Sequence, residues 1–160
     1  MDTMSTTYIT QSAVGRASNQ ITPVDDLAQL SKNEDEGIRY LIAGNPSAST
    51  EVLAELAHDS NFAVRWRVAG NPSTPAKSLI RLAKDKEWCV RTNTALNPNT
   101  DQQSLEFLAN DEDPMVRLAV AENTNTPSTA LELLAADEDD AVGDTASLML
   151  EQKSAIGRRH

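Results

Sequence analysis

Five asparagines, Asn19, Asn45, Asn71, Asn97 and Asn123, stand 26 residues apart without a slip. A period of this length means that each repeat is one supersecondary element that cannot bury its own apolar face, so neighbours have to stack. Other columns keep the register. Leu27, Leu53, Leu79, Leu105 and Leu131 align, and so do Leu30, Leu56, Leu82, Leu108 and Leu134. Ala57, Ala83, Ala109 and Ala135 follow, with Ser31 in the first repeat, and then Asp59, Asp85, Asp111 and Asp137, with Asn33 in the first. Ile38, Val64, Val90, Val116 and Val142 form another apolar column. Arg39, Arg65, Arg91 and Arg117 come next, and Gly143 takes that place in the last repeat. Ala43, Ala69, Ala95 and Ala121 close each repeat just before the asparagine.

The pattern predicts two short helices per repeat. Thr22-Pro23, Thr74-Pro75 and Thr126-Pro127 predict an N-cap hydroxyl followed by proline at the first helical position. The second helix is expected to open after Asp35, Asn61, Asp113 or Asp139, with Glu87 a poor cap and Pro114 at a first helical position. It should end at the Asn-Pro pairs 45-46, 71-72 and 97-98, because the residue before proline is pushed out of helical geometry. Helices of about nine residues are too short to stand alone in water, so stacking supplies their stability. The arginine lies about 100° around the helix from the core valine. At that semi-buried position an unpaired guanidinium is costly, so Asp to Arg pairs are expected, within or between repeats. The asparagine column predicts a hydrogen-bonded ladder from turn to turn.

The string L-x-x-L-A-x-D-x-x-x-x-V-R-x-x-V-A-x-N-P-x-T-P from Leu53 to Pro75 resembles the leucine-rich repeat variant family of bacterial proteins, and the Asp and Arg columns also resemble HEAT repeats. The resemblance covers roughly residues 19–150. It implies an all-α, right-handed α-solenoid of about five 26-residue repeats in which one helix of each pair is 3₁₀. One member of the family carries a cysteine-rich iron-sulfur segment, which needs several thiolates; Cys89 is the only cysteine here, so no such cofactor is expected. The boundaries that follow are a polar, Ser/Thr-rich segment at 1–18 whose composition permits disorder, a repeat domain at 19–152 and a basic tail at 153–160. Gly143 and Met149, in place of the arginine and the asparagine, make the fifth repeat read as a terminal cap.

Residues 1–18 lack a charged stretch followed by an apolar one, and no run approaches the ~18 apolar residues of a membrane helix, which points to a soluble, cytoplasmic protein. A lone cysteine agrees with a reducing compartment. The net charge of -10 argues against nucleic-acid binding. That charge is unevenly spread: residues 101–152 hold 13 acids and one base, Arg117, whereas residues 50–100 hold five acids and seven bases. The acids peak at Asp137, Glu138, Asp139 and Asp140, with Asp144 nearby. Their spacing lacks the alternating oxygen ligands and glycine turn of a calcium loop, so no metal is expected and a solvated cap is the simpler reading.

The arc of the second helix that faces away from the core varies freely. It carries Tyr40 and Leu41, then Phe62, Trp66 and Arg67, then Trp88, Cys89 and Asn93, then Met115, Leu118 and Ala119. Four of six aromatics fall in these columns, which predicts an aromatic strip of Tyr40, Phe62, Trp66 and Trp88 with Arg67 inside it. Packing over the inter-helix turn is the competing reading for Phe62 and Trp88. On the first helix, Glu51, Glu55 and His58 read as solvated exterior, and Lys77, Arg81 and Lys84 as a basic stripe on a solvated face.

Catalysis has little to stand on. His58 and His160 are the only histidines, and no phosphate loop, nucleophile elbow or paired metal ligands appear. No catalytic residue and no cofactor is assigned. The expected function is that of a non-enzymatic adaptor that docks another protein on the aromatic strip, its oligomeric state open. The alternative is an inhibitor or immunity-type protein whose acidic half blocks a basic, nucleic-acid-binding site.

Overall fold

The structure, a computed structural model, describes residues 12–157. The described residues form eleven α-helices and no strand. They belong to two compact units, Met1–Pro75 and Ala76–His160. The N-terminal unit holds α1 (Ala13–Ser18), α2 (Val24–Leu30), α3 (Glu36–Ala43), α4 (Thr50–Leu56) and α5 (Phe62–Ala69). The C-terminal unit holds α6 (Ala76–Leu82), α7 (Trp88–Leu96), α8 (Gln102–Leu108), α9 (Pro114–Glu122), α10 (Ser128–Leu134) and α11 (Asp140–Gly157). Each repeat is therefore a pair of helices, α2 with α3 through α10 with α11, all short but α11.

In each unit, second helix packs on second helix: α1 on α3 on α5, and α7 on α9 on α11. The leucine at the first column is fully buried in all five repeats, and the valines at 64, 90 and 116 are too. A buried leucine contributes about 2 kcal/mol, so this column, more than helix propensity, holds seven-residue helices in place.

Both helices of a repeat are α-helical. In place of the 3₁₀ helix that the resemblance implies, the described residues have only isolated three-residue-spaced bonds at helix ends and turns, the turn after each first helix among them. There His58 and Asp59 donate to the carbonyls of Glu55 and Leu56, and Asn110 and Asp111 to those of Phe107 and Leu108.

The threonine-proline pairs act differently from expectation. Pro23 and Pro127 occupy the cap position itself in extended geometry, without a side-chain cap. The threonine before them is buried, and its hydroxyl donates backward to the preceding second helix: Thr22 to Arg16 O, Thr74 to Val68 O and Thr126 to Val120 O, at 2.5 to 2.6 Å. A buried hydroxyl needs an acceptor, and each of these helix-end carbonyls, already bonded to the asparagine amide three residues on, has a second lone pair to offer. Where proline is absent, Ser49 and Asp101 cap the first helix through Val52 N and Ser104 N. Asp35, Asn61, Asp113 and Asp139 cap the second helices as expected, and Glu87 makes no cap bond.

The asparagines form the predicted ladder. Asn45 Nδ2 donates to Ala17 O and Asn19 O, Asn71 Nδ2 to Ala43 O and Asn45 O, and Asn123 Nδ2 to Ala95 O and Asn97 O. The Oδ1 atom of each accepts from the amide two residues on. One side chain thus ties its own turn to the end of the preceding second helix.

The arginines reach forward. Arg39 donates through Nε and Nη2 to Asp59, Arg91 to Asp111 and Arg117 to Asp137, each bidentate at 2.6 to 3.1 Å. Their Nη1 atoms donate to carbonyls of their own inter-helix turn, as Arg39 does to Asn33 O and Glu34 O. Arg65 makes the same turn bonds to Asp59 O and Ser60 O. Burial opposes ionisation of Asp59, but the bond from Arg39, the Asn61 amide and the charges of Arg39 and Arg65 outweigh it and hold the carboxyl below its usual range.

The two ends extend the repeat pattern. Helix α1 lies inside the N-terminal segment and takes the position of a second helix one period before α3, with Asn19 as its C-cap; residues 1–11 of that segment lie outside the described residues. Helix α11 has 18 residues because Met149 replaces the Asn-Pro stop and nothing ends the helix there. It runs into the basic tail, where Lys153 Nζ donates to Thr124 O at 2.9 Å; Arg158 and Arg159 lie outside the described residues.

Candidate protein-interaction face

Stacking second helix on second helix leaves one arc of each pointing away from the first helices, and the residues expected to bind a partner lie on that arc. In the N-terminal unit, Phe62 opens α5 directly after its Asn61 cap and is 50% exposed. Trp66 follows one turn later and is half-buried, Arg67 is exposed, and Tyr40 on α3 is half-buried.

Arg67 and Tyr40 come together. The guanidinium lies over the Tyr40 ring with Cζ 5.3 Å from the centroid, within cation-π range. Gly44, at the C-cap of α3, makes the approach possible. A Cβ on Gly44 would stand 2.7 Å from Arg67 Cζ and Nη2 and closer still to Nε. The glycine has φ -92°, so it is needed here for space and not for an unusual backbone. A long, flexible cation is thereby laid in one place on the surface.

In the C-terminal unit, Trp88 opens α7 and is 49% exposed. The same face carries three apolar side chains: Met115 on α9, Leu96 at the end of α7 and Leu148 on α11, all about half exposed. Leu96 and Leu148 escaped the sequence reading. The signal was a column that reads Gly44, Gly70, Leu96, Glu122 and Leu148.

The acids of the cluster at Asp137, Glu138, Asp139, Asp140 and Asp144 divide. Asp137 is 8% exposed in its side chain and is held by Arg117 and by the Asp139 amide. The bond from Arg117 is the main reason its carboxyl lies below the usual range, against the effect of burial. Asp139 caps α11 through Ala141 N and Val142 N. Glu138, Asp140 and Asp144 are exposed, the latter two one turn apart on α11.

On α4 of the N-terminal unit and the turn after it the first-helix face is polar, with Glu51, Glu55 and His58 exposed. In the C-terminal unit it is not uniformly so: Ile80, Phe107 and Leu133 are exposed. Lys84, from the predicted basic stripe, stands over the Phe107 ring at 5.7 Å. Together with Ile80 and Phe107 it borders a shallow pocket of about 190 Å³ between α6 and α8.

Among the described residues no group of three or more His, Cys, Asp or Glu side chains could hold a metal ion, and no helix is long and apolar enough to cross a membrane. Cys89 is a free, half-buried thiol.

A comparison with curated proteins gave no match. The family model described as leucine rich repeat variant matches residues 114–139, which run from the first residue of α9 to the cap of α11. That stretch holds the Val116, Arg117, Asn123, Leu131, Leu134 and Asp137 columns found at the same period elsewhere in the chain. Residues 114–139 thus match a leucine rich repeat variant unit, and they sit within an all-helical repeat fold.

Proposed function

We propose that this chain is a non-enzymatic protein-interaction module, an adaptor that docks its partner on the outward face of its second helices. Tyr40, Phe62, Trp66 and Arg67 are the anchors in the N-terminal unit, and Trp88 is the anchor in the C-terminal unit. A repeat fold of this kind offers a rigid surface, and binding energy on such surfaces concentrates in Trp, Tyr and Arg. The observation that carries the reading is the seat of Arg67 on Tyr40 over Gly44. Holding the cation in one position before a partner arrives lowers the ordering cost of binding. The single thiol, Cys89, fits work in the cytoplasm.

The test is capture from cell lysate on the folded wild type and on a Tyr40→Ala, Trp66→Ala, Trp88→Ala variant shown by circular dichroism to keep its helix content. Binding of the captured protein, once purified, is then measured on both. Loss of affinity in the variant is expected, and equal affinity would sink the aromatic reading. The exposure of Glu138, Asp140 and Asp144 favours a second reading, in which the acidic half blocks a basic site on a nucleic-acid-binding protein. In that case neutralising these three residues abolishes binding, and the aromatic substitutions do not.

A further inference from the structure

On the C-terminal unit, apolar and acidic side chains share one surface. By the repeat register, three turns of three stacked helices line up: Trp88, Thr92 and Leu96 on α7, then Pro114, Leu118 and Glu122 on α9, then Asp140, Asp144 and Leu148 on α11. Met115 stands beside Pro114. Helices α7 and α9 pack together, as do α9 and α11, so the three rows are neighbours. Trp88, Leu96, Met115 and Leu148 are each about half exposed, whereas Leu118 packs partly into the core. Glu122, Asp140 and Asp144 are exposed.

Among the described residues none of these three carboxylates has an ion-pair partner. The aspartates that pair with arginines or cap helices, Asp101, Asp111, Asp113, Asp137 and Asp139, lie outside the grid. The two arginines of the unit's second helices, Arg91 and Arg117, are turned away to Asp111 and Asp137. What the grid offers is large apolar contacts at one end and along one edge, with carboxylates grouped towards α11.

From this we infer that the second-helix face of the C-terminal unit binds an amphipathic helix whose apolar stripe is flanked by lysine or arginine. Charge complementarity selects that occupant. A neutral apolar helix would leave Asp140 and Asp144 desolvated without partners, and an acidic one would be repelled. A basic extended segment or loop would have no stripe to set against Trp88, Met115 and Leu148 together, whereas apolar residues at three- and four-residue spacing present one. Thioether and indole contacts also adapt to differing stripes. The inference rests on the second-helix face being the docking face and names the chemistry of what the C-terminal part of it takes.

The experiment uses the full chain and a fluorescein-labelled synthetic peptide with leucines at three- and four-residue spacing and lysines between them. Two control peptides accompany it: a scrambled one of the same composition, and one with glutamate in place of lysine. Fluorescence anisotropy is expected to show binding of the first peptide, at least about tenfold weaker binding of the scrambled one, and none of the glutamate one. Asp140→Asn with Asp144→Asn should weaken the first peptide about tenfold and flatten its salt dependence. Trp88→Ala with Met115→Ser should weaken it similarly while leaving the salt dependence.

Tyr40→Ala with Trp66→Ala should leave the peptide affinity unchanged, so the outcome here is separable from the fate of the N-terminal anchors. Equal binding of the scrambled peptide would mean attraction by charge alone, as the inhibitor reading requires, and would overturn the inference. So would unchanged affinity in both C-terminal variants, or no binding of the first peptide at any concentration reached.

Discussion

Arg67 crosses over Gly44 to place its guanidinium 5.3 Å from the centre of the Tyr40 ring. The contact joins the second helices of successive repeats through an exposed arginine and a half-buried tyrosine, and only the missing Cβ of residue 44 leaves room for it. Gly44→Ala should therefore displace Arg67 while suiting the backbone, whose right-handed φ and ψ alanine adopts readily. The expected result is a melting temperature equal to wild type or slightly raised, with partner affinity lowered about as far as by Arg67→Ala. Affinity equal to wild type in the alanine variant would remove the Arg67 seat from the binding surface.

Removing one half of an Arg to Asp pair should be costly. The Arg39 and Asp59 side chains are 16% and 6% exposed, and Asp59 also receives the Asn61 amide. Asp59→Ala leaves a mostly buried guanidinium without its carboxylate and should destabilise the fold by about 3 kcal/mol, read from urea denaturation. A loss below about 1 kcal/mol would place this pair with ordinary surface ion pairs.

The asparagine ladder makes a similar claim without charge. Asn123 is 6% exposed and makes two donor bonds and one acceptor bond. Asn123→Leu keeps the branched shape but removes the donor to the Ala95 and Asn97 carbonyls and the acceptor of the Asn125 amide, with an expected loss of about 2 kcal/mol or more in the same assay.

The one uncapped second helix invites a gain. Asp35, Asn61, Asp113 and Asp139 each accept from the amide two residues on, and Glu87 at the same position does not. Glu87→Asp shortens the side chain to the length that caps, and stability should rise by about 0.5 to 1 kcal/mol.

Acid should unfold the protein through the same pairs. Asp59 and Asp137 both lie below their usual range in the folded state. The unfolded chain, with aspartates near about 3.9, then binds more protons over the interval between the two values. Their contribution is fully present above about pH 4 and is lost as pH falls through the depressed folded values. Unfolding free energy measured from about pH 5 down to about pH 2 should fall, and Asp137→Asn should make the fall shallower.

The ladders were legible because a polar residue at a fixed, semi-buried place in every repeat must have a partner there. Their direction was not. Arg39 can address its own turn or the aspartate of the next repeat, and it does both, Nη1 taking the former and Nε with Nη2 the latter. Thr22, Thr74 and Thr126 were misread for a related reason: a hydroxyl between two helices can serve either, and sequence shows only the one ahead. At the interaction face, Tyr40 and Arg67 follow from adjacent columns, but Gly44 looks like a helix stop until the cation lying across it is seen. Ile80 and Phe107 were missed because the polar first helix of one repeat stood for all.

The bonds that join repeats have set lengths along the chain: 20 residues from arginine to aspartate, and 26 and 28 from asparagine to its two carbonyls. They act as a reading frame. Excision or duplication of a whole 26-residue segment returns every donor to an equivalent acceptor, whereas a change of any other length inside a helix misaligns the asparagine and arginine bonds on both sides of the cut at once. Genetic variation in this protein is thereby filtered into whole steps, and its size can change by recombination more safely than its helices can change by a single inserted residue.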